Sequence, residues 1–123
     1  MKTQTMNAPE HAEEFFADKL AFTIGPVEVN QQIEDNQESI IIDVRDTKDF
    51  LKGHVPGAIN LPEGQWEKTS NWLNDRPLVV YCYSQTCHLA ARAAVEFARQ
   101  GHSVQEMEGG FETWKENKLP VEK

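Results

Sequence analysis

Two continuous apolar, β-branched runs, SIIIDV at residues 39–44 and PLVVYC at 77–82, predict an α/β fold with a mainly parallel central sheet and helices on both faces. Stretches of helical periodicity separate these runs from each other and from weaker strand segments, the alternation expected where helical crossovers join parallel strands. A length of 123 residues suits one domain with its own core. The 39% hydrophobic and 26% charged composition is that of an ordinary globular chain.

Taken in order, PEHAEEFFADKL (residues 9–20) pairs Phe15, Phe16 and Leu20 at near-helical spacing and predicts an amphipathic helix. Residues 1–22 are expected to form a helical arm packed on a domain of residues 23–123. AFTI (21–24) is a short edge strand. The next helix opens at Pro26, a residue preorganised for a first helical turn, and keeps Val29 and Ile33 on one face. After the 39–44 strand, TKDFLKG predicts a short helix stopped by Gly53, and AINLP (58–62) another short strand. EGQWEKTSNWLND (63–75) reads as a helix with Trp66 and Leu73 on one face. Beyond the 77–82 strand, HLAARAAVEFARQG is Ala-rich, amphipathic through Leu89, Ala93 and Phe97, and closed by Gly101. SVQEME (103–108) is a last strand, and GGFETWKENKLP a last helix entered through Gly109 and Gly110.

The net charge of −8 argues against nucleic acid and anionic membranes as partners. No apolar run approaches the roughly twenty residues of a membrane span, and the N-terminal stretch lacks the apolar middle of a signal peptide, so a cytoplasmic location is expected. Two cysteines make no disulfide framework.

Cys82 stands where the strongest strand gives way to a polar turn and then a helix, at the edge of the sheet where α/β folds bind ligands. A thiolate there is favoured by a helix N-terminus and by free backbone N–H groups. The turn from Tyr83 through Ser84, Gln85, Thr86 and Cys87 to His88 is expected to curl around the sulfur as a nest for an anion. The plainer alternative is a small apolar residue closing a strand. Cys87 is either an incidental small residue or a second thiol that attacks a sulfur carried on Cys82 and closes a disulfide. His88 either brings positive charge to the loop or is simply exposed. A metal site of Cys82, Cys87, His88 and His54 matches no usual zinc spacing and is not expected. Asp43 and Arg45 are expected to form an internal ion pair supporting the neighbouring loops rather than to act on substrate. Pro56 and the glycines of GHVPGA shape a turn, and Trp66, Trp72 and Trp114 are core or groove wall.

Three stretches in one order, IIDVRDTKDFLKGHVPGAINLP, LVVYCYSQTCHLAARAA and EMEGGFETWKENKLPVE, resemble the rhodanese-like sulfurtransferase family, and together they span most of the chain. The resemblance implies a three-layer α/β fold, no cofactor and a nucleophilic Cys82. This cysteine would take a sulfane sulfur from a donor such as thiosulfate and hold it as a persulfide, cradled by the N–H groups of Tyr83 through His88. Cyanide or a thiol would then remove it, and a protein donor or acceptor is open. Two features depart from the family pattern, which often has a basic residue directly after the cysteine and an arginine five positions after it: here Tyr83 and Cys87 stand there. Thiosulfate, a dianion, is therefore expected to bind less well. Related phosphatases and arsenate reductases keep an arginine six positions after the cysteine, where this chain has His88, so ester hydrolysis is not expected. Two other readings remain: a non-enzymatic module that binds a protein partner, and a Cys82/Cys87 redox or persulfide-relay pair.

Overall fold

A computed structural model describes residues 8–67, 69 and 76–123. Among these, one parallel sheet contains β1 (Thr23–Ile24), β2 (Ile40–Asp43), β3 (Ile59–Asn60), β4 (Leu78–Tyr81) and β5 (Val104–Met107), in the order β1-β5-β4-β2-β3. The two runs that carried the prediction are adjacent, in register from Ile40 opposite Leu78 to Asp43 opposite Tyr81. All eight of their strand residues are buried, as continuous apolar strands under two covering layers should be.

Strand parity divides the core. Ile40, Ile42, Val44, Leu78, Val80 and Cys82 point to one face and pack with Ala90, Ala93 and Phe97 of α4 (Leu89–Arg99) and with Trp66. Ile41, Val79 and Tyr81 point to the other, where they meet Val29 of α2 (Pro26–Glu34) and Phe111 and Trp114 of α5 (Gly110–Glu116). Phe97 and Trp114 are fully buried on opposite faces, each contributing roughly 2–3 kcal/mol of apolar burial. The expected three layers follow from this two-residue period.

From β2 the chain runs through α3 (Thr47–Lys52) outward to β3, whereas from β4 it runs through α4 in the opposite direction to β5. The segments leaving β2 and β4 therefore diverge and leave a crevice between them at the carboxyl edge. Cys82 follows β4 directly, and Arg45 lies two residues beyond β2.

Local departures from expectation have local causes. The strands at 58–62 and 103–108 shorten to Ile59–Asn60 and Val104–Met107, and Ala21 and Phe22 end α1 (Pro9–Phe22) rather than start β1. The helix expected from residue 63 is absent over residues 63–67, which form turns: Gln65 N–H donates to the Pro62 carbonyl at 3.1 Å, and the Trp66 indole reaches back to the Leu61 carbonyl at 2.8 Å. Residues 68 and 70–75, Trp72 and Leu73 among them, lie outside the described residues. α1 touches the domain through its last turns, where Lys19 pairs with Glu108 at 2.6 Å, while Phe15, Phe16 and Leu20 are exposed. No helix among the described residues is long and apolar enough to cross a membrane.

Candidate active site

Position and parity together settle the surroundings of Cys82. As the first residue past β4 it stands at the sheet edge, and as an even-numbered residue it turns toward α4, where it is 1% exposed. The loop of residues 83–88 rises above it. Cys87 N–H donates to the Ser84 carbonyl at 3.1 Å, tightening the loop before His88 caps α4.

The loop is clamped from a distant part of the chain. The first turn of α5 has free N–H groups, and two are used here: Phe111 N–H donates to the Cys82 carbonyl at 2.8 Å and Glu112 N–H to the Tyr83 carbonyl at 3.0 Å. Gln85 Oε1 accepts from Gly109 N–H at 2.7 Å. A Cβ at Gly110 would stand 2.6 Å from Ser84 N, 2.7 Å from the Tyr83 carbonyl carbon and 2.8 Å from the Cys82 oxygen, all backbone atoms. Gly110 also has φ +61°. Only glycine permits both that backbone and that approach. Sequence reasoning assigned the glycine pair to helix entry; its contact with the loop links residues far apart in the chain and leaves no local mark.

The two thiols are neighbours with opposite environments. Cys82 Sγ donates to the Cys87 carbonyl at 3.5 Å. Burial, and then the hydrogen bond with the Cys87 thiol, push the Cys82 thiol up to about 12, against the opposing pull of the Ala90 and Tyr83 N–H groups. Cys87 is partly exposed. Desolvation raises its thiol, but hydrogen bonds from the Cys82 thiol and from the Leu89 and Tyr83 N–H groups outweigh that and hold it below the ordinary value of 9.0. The Tyr83 N–H thus serves both sulfurs.

Asp43 and Arg45 occupy the face opposite Cys82. Arg45 grips the carboxylate through Nε at 3.1 Å to both oxygens and through Nη2 at 2.8 Å, and its Nη2 also reaches the Gly53 carbonyl at 2.6 Å. Tyr81 donates its phenol proton to Asp43 at 2.6 Å and accepts from Val55 N–H at 3.0 Å. Burial first, and the Asp43 charge next, raise the Tyr81 phenol above its ordinary range, so it remains a donor. Buried charge here is paired and hydrogen-bonded throughout. The Arg45 guanidinium then lies 4.2 Å from the Phe111 ring centre and 5.7 Å from that of Tyr83, tying this network to the clamp and to the first loop residue. Tyr83 donates to Asp49 at 2.6 Å and accepts from Asp46 N–H at 3.1 Å, so the loop is also moored to α3. That bond pulls the Asp49 carboxyl below its usual range.

Clefts flank the loop on both sides. On one side, adjoining hollows of about 330 and 310 Å³ are lined by the basic Arg45, Lys52 and Lys115, the acidic Asp49 and Glu112, and Tyr83, Ser84 and Phe111. On the other, a cleft of about 370 Å³ runs between α1 and the loop, with Phe15, Phe22 and Ala91 as apolar wall and Asp18, Glu106 and Glu108 as acids. Cys87, His88 and Gln85 border that second cleft. Lys52, Lys115, Asp18, Lys19 and Phe22 were not singled out from the sequence, where they read as ordinary positions; Phe15 was read only as part of the apolar face of α1.

The Rhodanese-like domain model matches residues 25–117. Among curated relatives, the HTH-type transcriptional regulator Rv0324 of Mycobacterium tuberculosis is 34% identical over 87 residues, covering 69% of this chain but 38% of the regulator. The chain therefore spans little more than a third of that relative's length. The thiosulfate sulfurtransferase GlpE of Shewanella oneidensis is 36% identical over 95 residues, covering 72% of this chain and 89% of GlpE. Among solved structures, the BH2092 protein of Bacillus halodurans superposes with a TM-score of 0.85 at 30% identity, covering 94% of this chain and 86% of that one.

Proposed function

The chain belongs to the rhodanese-like domain family, and on that premise we propose that it is a sulfurtransferase that carries a sulfane sulfur as a persulfide on Cys82. The observation that carries the reading is the seat of that sulfur. Cys82 Sγ lies at the base of a loop clamped to α5, with the Tyr83 and Ala90 N–H groups acting on it. In the loading step the Cys82 thiolate attacks the outer sulfur of thiosulfate. A new S–S bond forms, the old one breaks, and sulfite leaves with its electron pair. The terminal sulfur is then attacked by cyanide or a thiol, and the electron pair of the broken bond returns to Cys82. The N–H groups oppose the cost of holding negative charge in a buried place, as preorganised donors do in oxyanion sites.

Lys52 and Lys115 supply side-chain positive charge that the loop itself lacks, beside Asp49, Glu112 and an Arg45 already paired with Asp43, and they make the hollow beside Tyr83 and Ser84 a less acidic approach for an anionic donor than the α1 cleft. The high resting pKa of Cys82 means that its proton must leave before attack, which limits the rate with a weakly bound donor. Brief thiosulfate treatment followed by intact-protein mass spectrometry tests the reading. Wild type is expected to gain one sulfur atom and Cys82→Ser none; folded, reduced wild type that gains nothing would overturn thiosulfate as donor.

A second reading, a binding module without chemistry, draws support from the similarity to a transcriptional regulator. It requires that Cys82 accept sulfur from no donor.

A further inference from the structure

We propose that Cys87 is a second sulfur-carrying residue, which takes the sulfane sulfur from Cys82 and delivers it through the α1 cleft to a small thiol without net negative charge. This rests on the persulfide reading of Cys82. Cys82 is 1% exposed and borders none of the three clefts beside the loop, whereas Cys87 is partly exposed and forms part of the α1 cleft. The Cys82 thiol donates to the Cys87 backbone carbonyl at 3.5 Å, and a hydrogen bond between the two thiols raises the Cys82 thiol and lowers that of Cys87. A sulfur bonded to Cys82 is thus within the reach of the Cys87 thiol.

The step balances without an oxidant or reductant. The Cys87 thiolate attacks the outer sulfur of the Cys82 persulfide; the bond from Cys87 Sγ to that sulfur forms as its bond to Cys82 Sγ breaks, and the electron pair goes to Cys82 Sγ. The persulfide proton ends on Cys82, where burial favours the neutral thiol, and the negative charge that began on the Cys87 thiolate ends on the transferred sulfur now bonded to Cys87. An acceptor thiolate then attacks the same sulfur on Cys87, and the Cys87 thiolate is restored.

The cleft selects the acceptor. Its volume of about 370 Å³ suits a small molecule, and Phe15, Phe22 and Ala91 offer it apolar contact. Lys19 is held by Glu108, which leaves the Asp18 and Glu106 carboxylates on the rim beside His88. Desolvation and the neighbouring Glu108 charge already raise the Glu106 carboxyl, a sign that further negative charge is unwelcome there. Neutral or cationic thiols therefore fit, and anionic ones do not.

The test loads wild type, Cys87→Ser and Cys87→Ala with thiosulfate, removes the donor, locates the added sulfur by peptide fragmentation, and follows discharge to cysteamine and to mercaptoacetate. In wild type, sulfur is expected on both cysteines, with discharge to cysteamine about tenfold faster than to mercaptoacetate. In both Cys87 variants it should reside on Cys82 alone, and discharge to cysteamine should slow about tenfold. Sulfur confined to Cys82 in wild type, with unchanged discharge in the variants, overturns the relay and leaves the Cys82 reading standing. A loss of two hydrogens that requires both cysteines also overturns it, since that product is a disulfide. If no form takes up sulfur, the Cys82 reading fails and the relay with it.

Discussion

The clefts on the two sides of one six-residue loop differ in almost every property that matters to a sulfur compound. The hollow beside Tyr83 and Ser84 sets Arg45, Lys52 and Lys115 against Asp49 and Glu112; the cleft beside Cys87 and His88 is more apolar, with Asp18, Glu106 and Glu108 against Lys19. The first is the less unfavourable to an anion, and the buried Cys82 sulfur lines neither. The difference shows that a chain of net charge −8 can still gather basic residues on one side of a loop: local arrangement, not the total, sets the field at the site. In the proposed relay, the two sides serve as separate routes for the sulfur donor and the acceptor.

The most damaging change to both sides is Cys82→Ser. It is expected to lower sulfur transfer by roughly a thousandfold or more in a cyanide or thiol assay, because the only proposed entry point for sulfur is gone. Transfer retained in this variant would make Cys87 the primary acceptor and break the comparison.

Alkylation of the resting protein sharpens it. A lowered pKa means that the Cys87 thiolate is present at lower pH, and a pKa raised to about 12 means that Cys82 stays protonated through neutrality. Three units cost Cys82 about a thousandfold in thiolate, partly offset by the greater nucleophilicity of a more basic sulfur. Peptide mapping after iodoacetamide near pH 8 should show Cys87 modified roughly thirtyfold faster, with Cys82 catching up only as pH rises well above that. Faster modification of Cys82 would contradict the assigned environments.

Gly110→Ala acts on the loop that both clefts share. Its new methyl group would meet three backbone positions within 2.8 Å, so the loop or α5 must move. Chemical denaturation should show a loss of about 2–3 kcal/mol, with thiosulfate loading reduced alongside it. Unchanged stability and loading would mean that the clamp is dispensable.

The smallest expected effect is the most selective. Lys115→Glu places a negative charge at the hollow beside Tyr83, with little expected effect on folding. The KM for thiosulfate should rise a few-fold at low salt and the difference should shrink as salt is added, while discharge to cysteamine stays as it was. Equal effects on both half-reactions would show that the two sides are not separate routes.

Much of this was legible in the chain itself, for reasons that vary by element. The strands at 40–43 and 78–81 were readable because a β-branched apolar run has few other places to go than a doubly covered sheet. The helices beginning at Pro26 and ending before Gly53 were readable because their boundary residues act through their own backbone. The segment at 63–67 misled because Trp66 sits at a helical spacing yet is buried by a hydrogen bond to Leu61, a tertiary solution that periodicity does not encode. Phe15 and Phe16 were recognisable as one side of a helix, but what that side faces was not.

Sequence alone determined the α/β alternation, the sheet edge on which Cys82 stands, and, through the two-residue strand period, that Cys82 and Tyr81 turn to opposite faces. Those properties depend on neighbours within a few positions, where propensity and parity act. Tertiary structure decided the contact of Gly110 with the loop, the burial of Cys82 beside a more open Cys87, and the sorting of charge between the clefts. Lys115 comes from a segment far along the chain from Arg45 and Lys52, as Glu106 does from Asp18. Parallel crossovers bring such segments together only when the whole sheet is assembled, so the field at the sulfur is a property of the fold.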